Sequence, residues 1–195
     1  MNRTKPGTVR IIGGRWRGRR LPVPDLPGLR PSGDRSRETL FNWLAPHLRG
    51  SRCADLFAGT GALGLEAASR GAAWVVLVEK ASGAVRCLEE NVAKLVADGE
   101  HGTIEVVRGD AIQWLAGCTP ASLDLVFVDP PFGAGLVEDV LEGLEHSECL
   151  SPGGLVYLET ARQDVEAIPG PAWETLKDKT LGHVRMRLLK ESEVF

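Results

Sequence analysis

The sequence predicts an α/β protein built on a mainly parallel sheet. An antiparallel hairpin closes its C-terminal end, and a small separate β-hairpin precedes it. Three observations carry that expectation. Short apolar runs such as Trp74–Glu79 and Asp124–Val128 read as strands buried on both faces. Segments with apolar residues at helical spacing, such as Ala81–Val96, alternate with those runs. After Trp173 the alternation stops, and two extended segments meet at Gly182 with no helix between them.

Taken in order, Val9–Leu21 reads as a hairpin whose tight turn is Gly13-Gly14, because both central positions of such a turn need positive φ. Pro22, Pro24, Pro27 and Pro31 impose an extended linker. Asp34 stands as N-cap of a helix running to about His47, with Leu40, Phe41, Trp43, Leu44 and Leu48 on its apolar face. Cys53–Phe57 is a short strand, and Gly61–Arg70 a helix stopped by Gly71. Trp74–Glu79 is a strand, Ala81–Val96 a helix, Ile104–Val107 a strand and Ala111–Leu115 a short helix. The strand Asp124–Val128 must end at Pro130-Pro131, since neither proline can donate to a ladder. A helix from about Leu136 to Glu145, a strand Leu155–Glu159 and the pair Trp173–Leu181 and Val184–Leu189 complete the chain.

At 195 residues the chain is long enough for one domain with a full core and a small appendage. No apolar run has the length of a membrane span, and Met1–Lys5 leads into no signal-peptide core, so a cytoplasmic protein with no membrane partner is expected. Cys53, Cys87, Cys118 and Cys149 lie far apart and away from the histidines, which argues against a metal site or a disulfide framework. The net charge of −3 hides an asymmetry: residues 1–37 hold ten basic and two acidic side chains, so they carry +8 and the remainder −11. Nine of those ten are arginine, including Arg10, Arg15, Arg17, Arg19, Arg20, Arg30, Arg35 and Arg37. Guanidinium groups suit phosphates and stack on bases, so this arm predicts a nucleic-acid partner.

The chemistry concentrates at strand ends. Asp55, Glu79, Asp110 and Asp129 close four successive strands at their carboxyl ends, where open α/β sheets bind ligands. Asp55-Leu56-Phe57-Ala58-Gly59-Thr60-Gly61 forms the first strand-to-helix bend, with glycines that allow close backbone approach. Gly59-x-Gly61-x-x-Gly64 also fits a dinucleotide fingerprint, with Glu79 as the ribose acid, so a nicotinamide oxidoreductase is one reading. Against it, Asp55 is a poor neighbour for a pyrophosphate. It suits a ligand with sulfonium and ammonium charges and no phosphate, S-adenosyl-L-methionine. Glu79 would take the ribose hydroxyls, and Asp110 beside Ala111 an adenine amine. Asp129-Pro130-Pro131-Phe132 combines a carboxylate, a carbonyl with no competing N–H, and a flat ring, and would hold a planar group that carries an NH2.

These residues resemble a known family. The stretch Asp55–Gly61 looks like motif I of the class I methyltransferases, and Asp129–Phe132 like motif IV of those that methylate exocyclic amines. Arg10–Gly14, the stretch from Arg30 to Leu44, and Gly61–Ala67 are similar to the bacterial small-subunit ribosomal RNA guanine-N2 methyltransferases, the RsmD family. The likeness runs from residue 9 to about residue 190, with departures at Ser32-Gly33 and at Gly133-Ala134-Gly135.

The resemblance implies a Rossmann-like fold with a seven-stranded sheet. Residues 1–31 would be an RNA-binding extension and residues 32–195 the methyltransferase domain. It implies a monomer that uses S-adenosyl-L-methionine on a guanine of 16S rRNA in the small ribosomal subunit, the family target being guanine 966. The catalytic residues would be Asp129, Pro130, Pro131 and Phe132. The cofactor residues would be Asp55, Phe57, Ala58, Gly59, Thr60, Gly61, Glu79, Asp110 and Ala111. An adenine-N6 or other DNA or RNA amino-methyltransferase and a catalytically idle RNA-binding module are the rival readings.

Overall fold

The structure is a computed structural model that describes residues 7–23, 33–97, 99, 101–164 and 170–192. A seven-stranded sheet forms its centre, with strands β3 (Arg52–Asp55), β4 (Trp74–Glu79), β5 (Thr103–Arg108), β6 (Leu123–Val128), β7 (Leu150–Ala161), β8 (Trp173–Leu181) and β9 (Val184–Glu191) in the order β5-β4-β3-β6-β7-β9-β8. The pairs from β5 through β7 are parallel, and β9 runs antiparallel to both β7 and β8. The expected mixed sheet with its C-terminal hairpin is therefore present, turned at Gly182 (φ +62°).

Alternate residues of the central strands feed two apolar clusters, as the two-residue period of a strand requires. Cys53, Val75, Leu77, Leu125, Phe127 and Tyr157 face helices α1 (Asp34–Leu44), α2 (Gly64–Ser69) and α3 (Ser82–Val96). Ala54, Val76, Val78, Val126, Val128 and Leu158 face α4 (Ala111–Ala116) and α5 (Leu136–Ser147). Both sheet faces are covered, which is why the strands read as unbroken apolar runs. On the first face Phe127 stacks between Phe41 and Tyr157, at centroid distances of 6.1 and 6.4 Å.

Helix α1 stops at Leu44 and passes into a 3-10 turn at Ala45–His47, because Pro46 has no N–H to donate back into the helix. Asp34 corrects an expectation. Gly33 occupies the N-cap with no side-chain bond, while the Asp34 carboxylate accepts from Arg10 (2.8 Å) and Arg37 (2.7 Å). Strand β7 begins at Leu150, earlier than its apolar run suggests, and its pairing with β6 is irregular between Leu123 and Leu125.

The N-terminal hairpin exists, but its turn differs from the sequence expectation. Strands β1 (Thr8–Arg10) and β2 (Arg20–Pro22) pair antiparallel, and a long loop joins them. Gly13-Gly14 is not a two-residue turn. It lies against helix α2, where the amides of Ile12 and Gly13 each donate to Glu66 at 2.7 Å. The Arg15 amide reaches the Ser69 carbonyl at 2.7 Å, and a Cβ on Gly14 (φ +73°) would overlap that carbonyl. Val9, Ile11, Trp16, Leu21 and Val23 join the same apolar cluster as α1 and α2. Glycine is needed here for close approach to a helix. Of the linker prolines, Pro24, Pro27 and Pro31 lie outside the described residues, as does Arg30.

Candidate active site

The sheet order places the strand-end acids side by side. β5, β4, β3 and β6 are consecutive and parallel, so Asp110, Glu79, Asp55 and Asp129 form one row along the carboxyl edge.

Asp55 is 2 % exposed, and its Oδ2 accepts the Gly64 amide at 2.9 Å. That bond closes the bend by tying the end of β3 to the start of α2. Burial pushes the Asp55 carboxyl up to about 7; the Gly64 amide opposes this, the Glu79 carboxylate adds to it, and the Phe57 amide opposes it again. Glu79 holds the bend from the other side, with Oε2 accepting from Gly59 (2.9 Å) and Oε1 from Ala81 (2.7 Å). The Ala58 amide continues the tether to the Val78 carbonyl at 3.0 Å. Gly59 (φ +50°) and Gly61 (φ +77°) adopt the left-handed backbone that the bend requires. A Cβ on Gly61 would lie 2.7 Å from both Leu65 Cδ1 and Leu88 Cδ2. Thr60 is buried and Phe57 half-buried.

Asp110 caps α4, its Oδ1 accepting from Ile112 (3.1 Å) and Gln113 (3.3 Å), while Oδ2 pairs with Lys80 at 3.1 Å. The Lys80 bond, with the two cap amides, holds this carboxyl below its usual range, although partial burial pulls the other way. Ala111 is buried at the start of the same helix.

The loop after β6 is built differently. Asp129 is half-buried and Pro130 buried, but Pro131 through Gly135 are exposed, and the Phe132 ring is 53 % exposed. Gly133 (φ +73°) and Gly135 (φ +68°) turn the chain into α5. A cleft of about 870 Å³ opens beside this loop, lined among others by Pro130, Pro131, Phe132, Glu159 and Thr160.

Arg15, Arg17, Arg20 and Arg35 are exposed. Arg10 is exposed and paired with Asp34; Arg19 is exposed and donates to the Lys94 carbonyl at 3.3 Å. Arg37 corrects the sequence expectation. It is 1 % exposed, donating to Asp34 and to the Arg10 carbonyl and lying 3.7 Å from Glu66. Its guanidinium holds the hairpin to the body and is out of reach of a polymer.

Sequence reasoning passed over two side chains. Glu66, fully buried, gathers Ile12, Gly13, Arg70 and Arg37 on one carboxylate. Its position at helical spacing carried no local signal. Glu159 sits near the end of β7 beside Asp129, and its signal was available, since it closes the apolar run Leu155–Leu158 just as Glu79 closes its own.

Among the described residues no group of three or more His, Cys, Asp or Glu is arranged to hold a metal ion, and no helix is long and apolar enough to cross a membrane. The four cysteines are free, Cys53 and Cys149 being buried.

Residues 9–190 match the family model described as conserved hypothetical protein 95. The chain is 46 % identical to ribosomal RNA small subunit methyltransferase D of Escherichia coli K12, over 96 % of this chain and 92 % of that protein. It is 43 % identical to the protein of the same name from Haemophilus influenzae, over 93 % of each. The solved structure of Escherichia coli yhhF superposes with a TM-score of 0.84 at 43 % identity, covering 95 % of this chain and 98 % of that one.

Proposed function

Because this chain belongs to the ribosomal RNA small subunit methyltransferase D family, we propose that it transfers a methyl group from S-adenosyl-L-methionine to the exocyclic N2 amine of one guanine in 16S rRNA, guanine 966 in the family numbering. The observation that carries the reading is the exposed Asp129-Pro130-Pro131-Phe132 loop, set at the carboxyl end of β6 in one row with Asp55, Glu79 and Asp110.

The residues fit the cofactor. Two carboxylates brace the glycine bend, and a pyrophosphate would meet both Asp55 and Glu79 there, which disfavours a nicotinamide dinucleotide. Each Glu79 oxygen keeps one lone pair beyond its amide bond, enough to accept a ribose hydroxyl. The backbone from Phe57 to Gly61, with Ala111 and Asp110, would form the remainder of the site. When bound, S-adenosyl-L-methionine supplies an electrophilic methyl on a positively charged sulfur.

The chain's own residues do the positioning. The guanine amine is a weak nucleophile because its lone pair is delocalised into the ring. Asp129 and the Pro130 carbonyl accept its two N–H bonds, which favours a pyramidal nitrogen with its lone pair aimed at the methyl. The same acceptors stabilise the positive charge that develops on nitrogen. Phe132 stacks on the base, which must be unpaired or flipped out to reach the loop. The proton leaves after transfer, so no strong base is needed. The exposed arginines Arg10, Arg15, Arg17, Arg19, Arg20 and Arg35 hold RNA phosphates, so binding weakens steeply with salt. The enzyme acts as a monomer in the cytoplasm on the small ribosomal subunit.

The test is methyl transfer from labelled S-adenosyl-L-methionine to small subunits lacking base methylation, with free 16S RNA and duplex DNA alongside. N2-methylguanosine in the subunits is the expected product. N6-methyladenine, or label in DNA alone, would overturn the substrate while keeping the chemistry.

A further inference from the structure

We propose that Glu159 reads the target base, its carboxylate accepting the N1–H of guanine while Asp129 and the Pro130 carbonyl hold the N2 amine. This rests on the guanine-N2 reading above and names the residue that selects guanine.

Position comes first. β6 and β7 are parallel neighbours in which Phe127 pairs with Tyr157 and Val128 with Leu158. Asp129 and Glu159 are the next residues on the two strands, so both carboxylates leave the same sheet face at its carboxyl edge. Glu159 also lines the cleft with Pro130, Pro131 and Phe132.

Its surroundings separate it from the other buried acids. Glu66, fully buried, is compensated by two backbone amides and the guanidinium groups of Arg70 and Arg37. Asp55 is held by the amides of Gly64 and Phe57. Glu159, at 3 % exposure, receives the Tyr157 hydroxyl on Oε2 at 2.5 Å, and among the described residues no cation pairs with it. Oε1 is left for a further donor. A buried carboxylate with one neutral partner is costly, and the fold keeps it at the carboxyl edge of the sheet beside Asp129.

The chemistry of that pair of carboxylates matches one base edge. Guanine presents N1–H and the N2 amine side by side, both donors, and an ionised carboxylate only accepts. Adenine presents a lone pair at N1, which would face the lone pairs of Oε1. The Tyr157 hydroxyl fixes the rotation of the Glu159 head group, so Oε1 faces the base in a set direction.

The distinguishing experiment uses small subunits reconstituted with 16S RNA that carries either guanine or 2-aminopurine at the target position. 2-Aminopurine keeps the amine but has no hydrogen on N1. Wild-type enzyme is expected to favour guanine by at least about a hundredfold in kcat/KM, as sites built to bond one polar group reject analogues lacking it. In Glu159→Gln the carboxamide oxygen stays on the Tyr157 hydroxyl, and its NH2 donates to N1 of 2-aminopurine. The preference for guanine should then fall at least about tenfold, because 2-aminopurine gains the bond that guanine loses. A residue that merely supported the fold would lower both rates together and leave the ratio alone. An unchanged ratio in Glu159→Gln overturns the inference. So does equal use of the two bases by wild-type enzyme, which needs no variant to fold. Wild-type enzyme that puts no methyl on guanine N2 fails the broader reading first, and this inference with it.

Discussion

The two loops that end β3 and β6 lie on adjacent strands, yet they are built in opposite ways. After β3, every residue from Ala58 through Leu63 is buried, and the carboxylates of Asp55 and Glu79 brace the bend by accepting the Gly64 and Gly59 amides. After β6, Pro131 through Gly135 are exposed, the Phe132 ring stands half in solvent, and a Cβ on Gly133 or Gly135 would meet nothing within 4 Å. A small ligand that returns in every turnover is served by a rigid cradle whose ordering is part of folding. A base extruded from a large RNA is served by an open ring that the base itself covers. Under the proposed function, preorganisation on the cofactor side and openness on the RNA side would divide the work.

The largest expected effect breaks the preorganised half. Glu66→Ala would leave the Ile12 and Gly13 amides without their acceptor and take a buried carboxylate from Arg70 and Arg37. Removing one partner of such a buried pair costs roughly 3–5 kcal/mol. Urea denaturation would register it as a lower midpoint, and hydrogen exchange would show the Ile12 and Gly13 amides losing protection first. A loss below about 1 kcal/mol would mean that the hairpin and α2 are held by apolar packing alone.

Asp129→Ala tests the open half. Turnover should drop roughly 10²- to 10³-fold, as for loss of one aligned transition-state partner. Cofactor affinity and the unfolding midpoint should stay near wild type. If the variant instead unfolds early, the β6 loop is as structural as the β3 loop and the contrast is lost.

Phe132→Ala should cost about 1–3 kcal/mol in kcat/KM for the RNA, the usual worth of stacking one base on one ring. Thermal stability should not move, because the ring makes little core contact at 53 % exposure.

The smallest effect is a pH dependence. Asp55 has an ordinary value of 3.8 and is held at about 7 by burial. Its ionised fraction therefore rises with pH through 7, and a cationic ligand prefers that ionised form. Cofactor should bind about tenfold more tightly at pH 8 than at pH 6, with uptake of ligand releasing a proton. Calorimetry in buffers of different ionisation enthalpy would measure that proton, and Asp55→Asn should flatten the profile. Affinity that is flat across this range in the wild-type protein would show that Asp55 senses the loop and not the ligand.

What the linear sequence determined was whatever a short window can encode. The part of a strand buried on both faces must be apolar, so the runs Trp74–Val78 and Leu125–Val128 made the strands Trp74–Glu79 and Asp124–Val128 legible. A helix ending in a left-handed residue asks for glycine, so Gly71 (φ +101°) marked the end of α2. Acids closing parallel strands must share one edge, so the row from Asp110 to Asp129 could be read before the strand order was known. Tertiary structure alone decided the rest, because one residue type serves two ends. Glycine suits a tight turn and close approach to a helix equally, and only the position of α2 assigns Gly13-Gly14 to the second. An arginine near a helix start serves a phosphate or a buried glutamate, and only the packing of the hairpin onto α1 and α2 gives Arg37 to Glu66. The difference between Glu79, with a backbone amide on each oxygen, and Glu159, with the Tyr157 hydroxyl on one, lies in which strands are neighbours. Long-range proximity sets the partner of each polar group, and the partner sets whether the group supports the fold or meets a ligand.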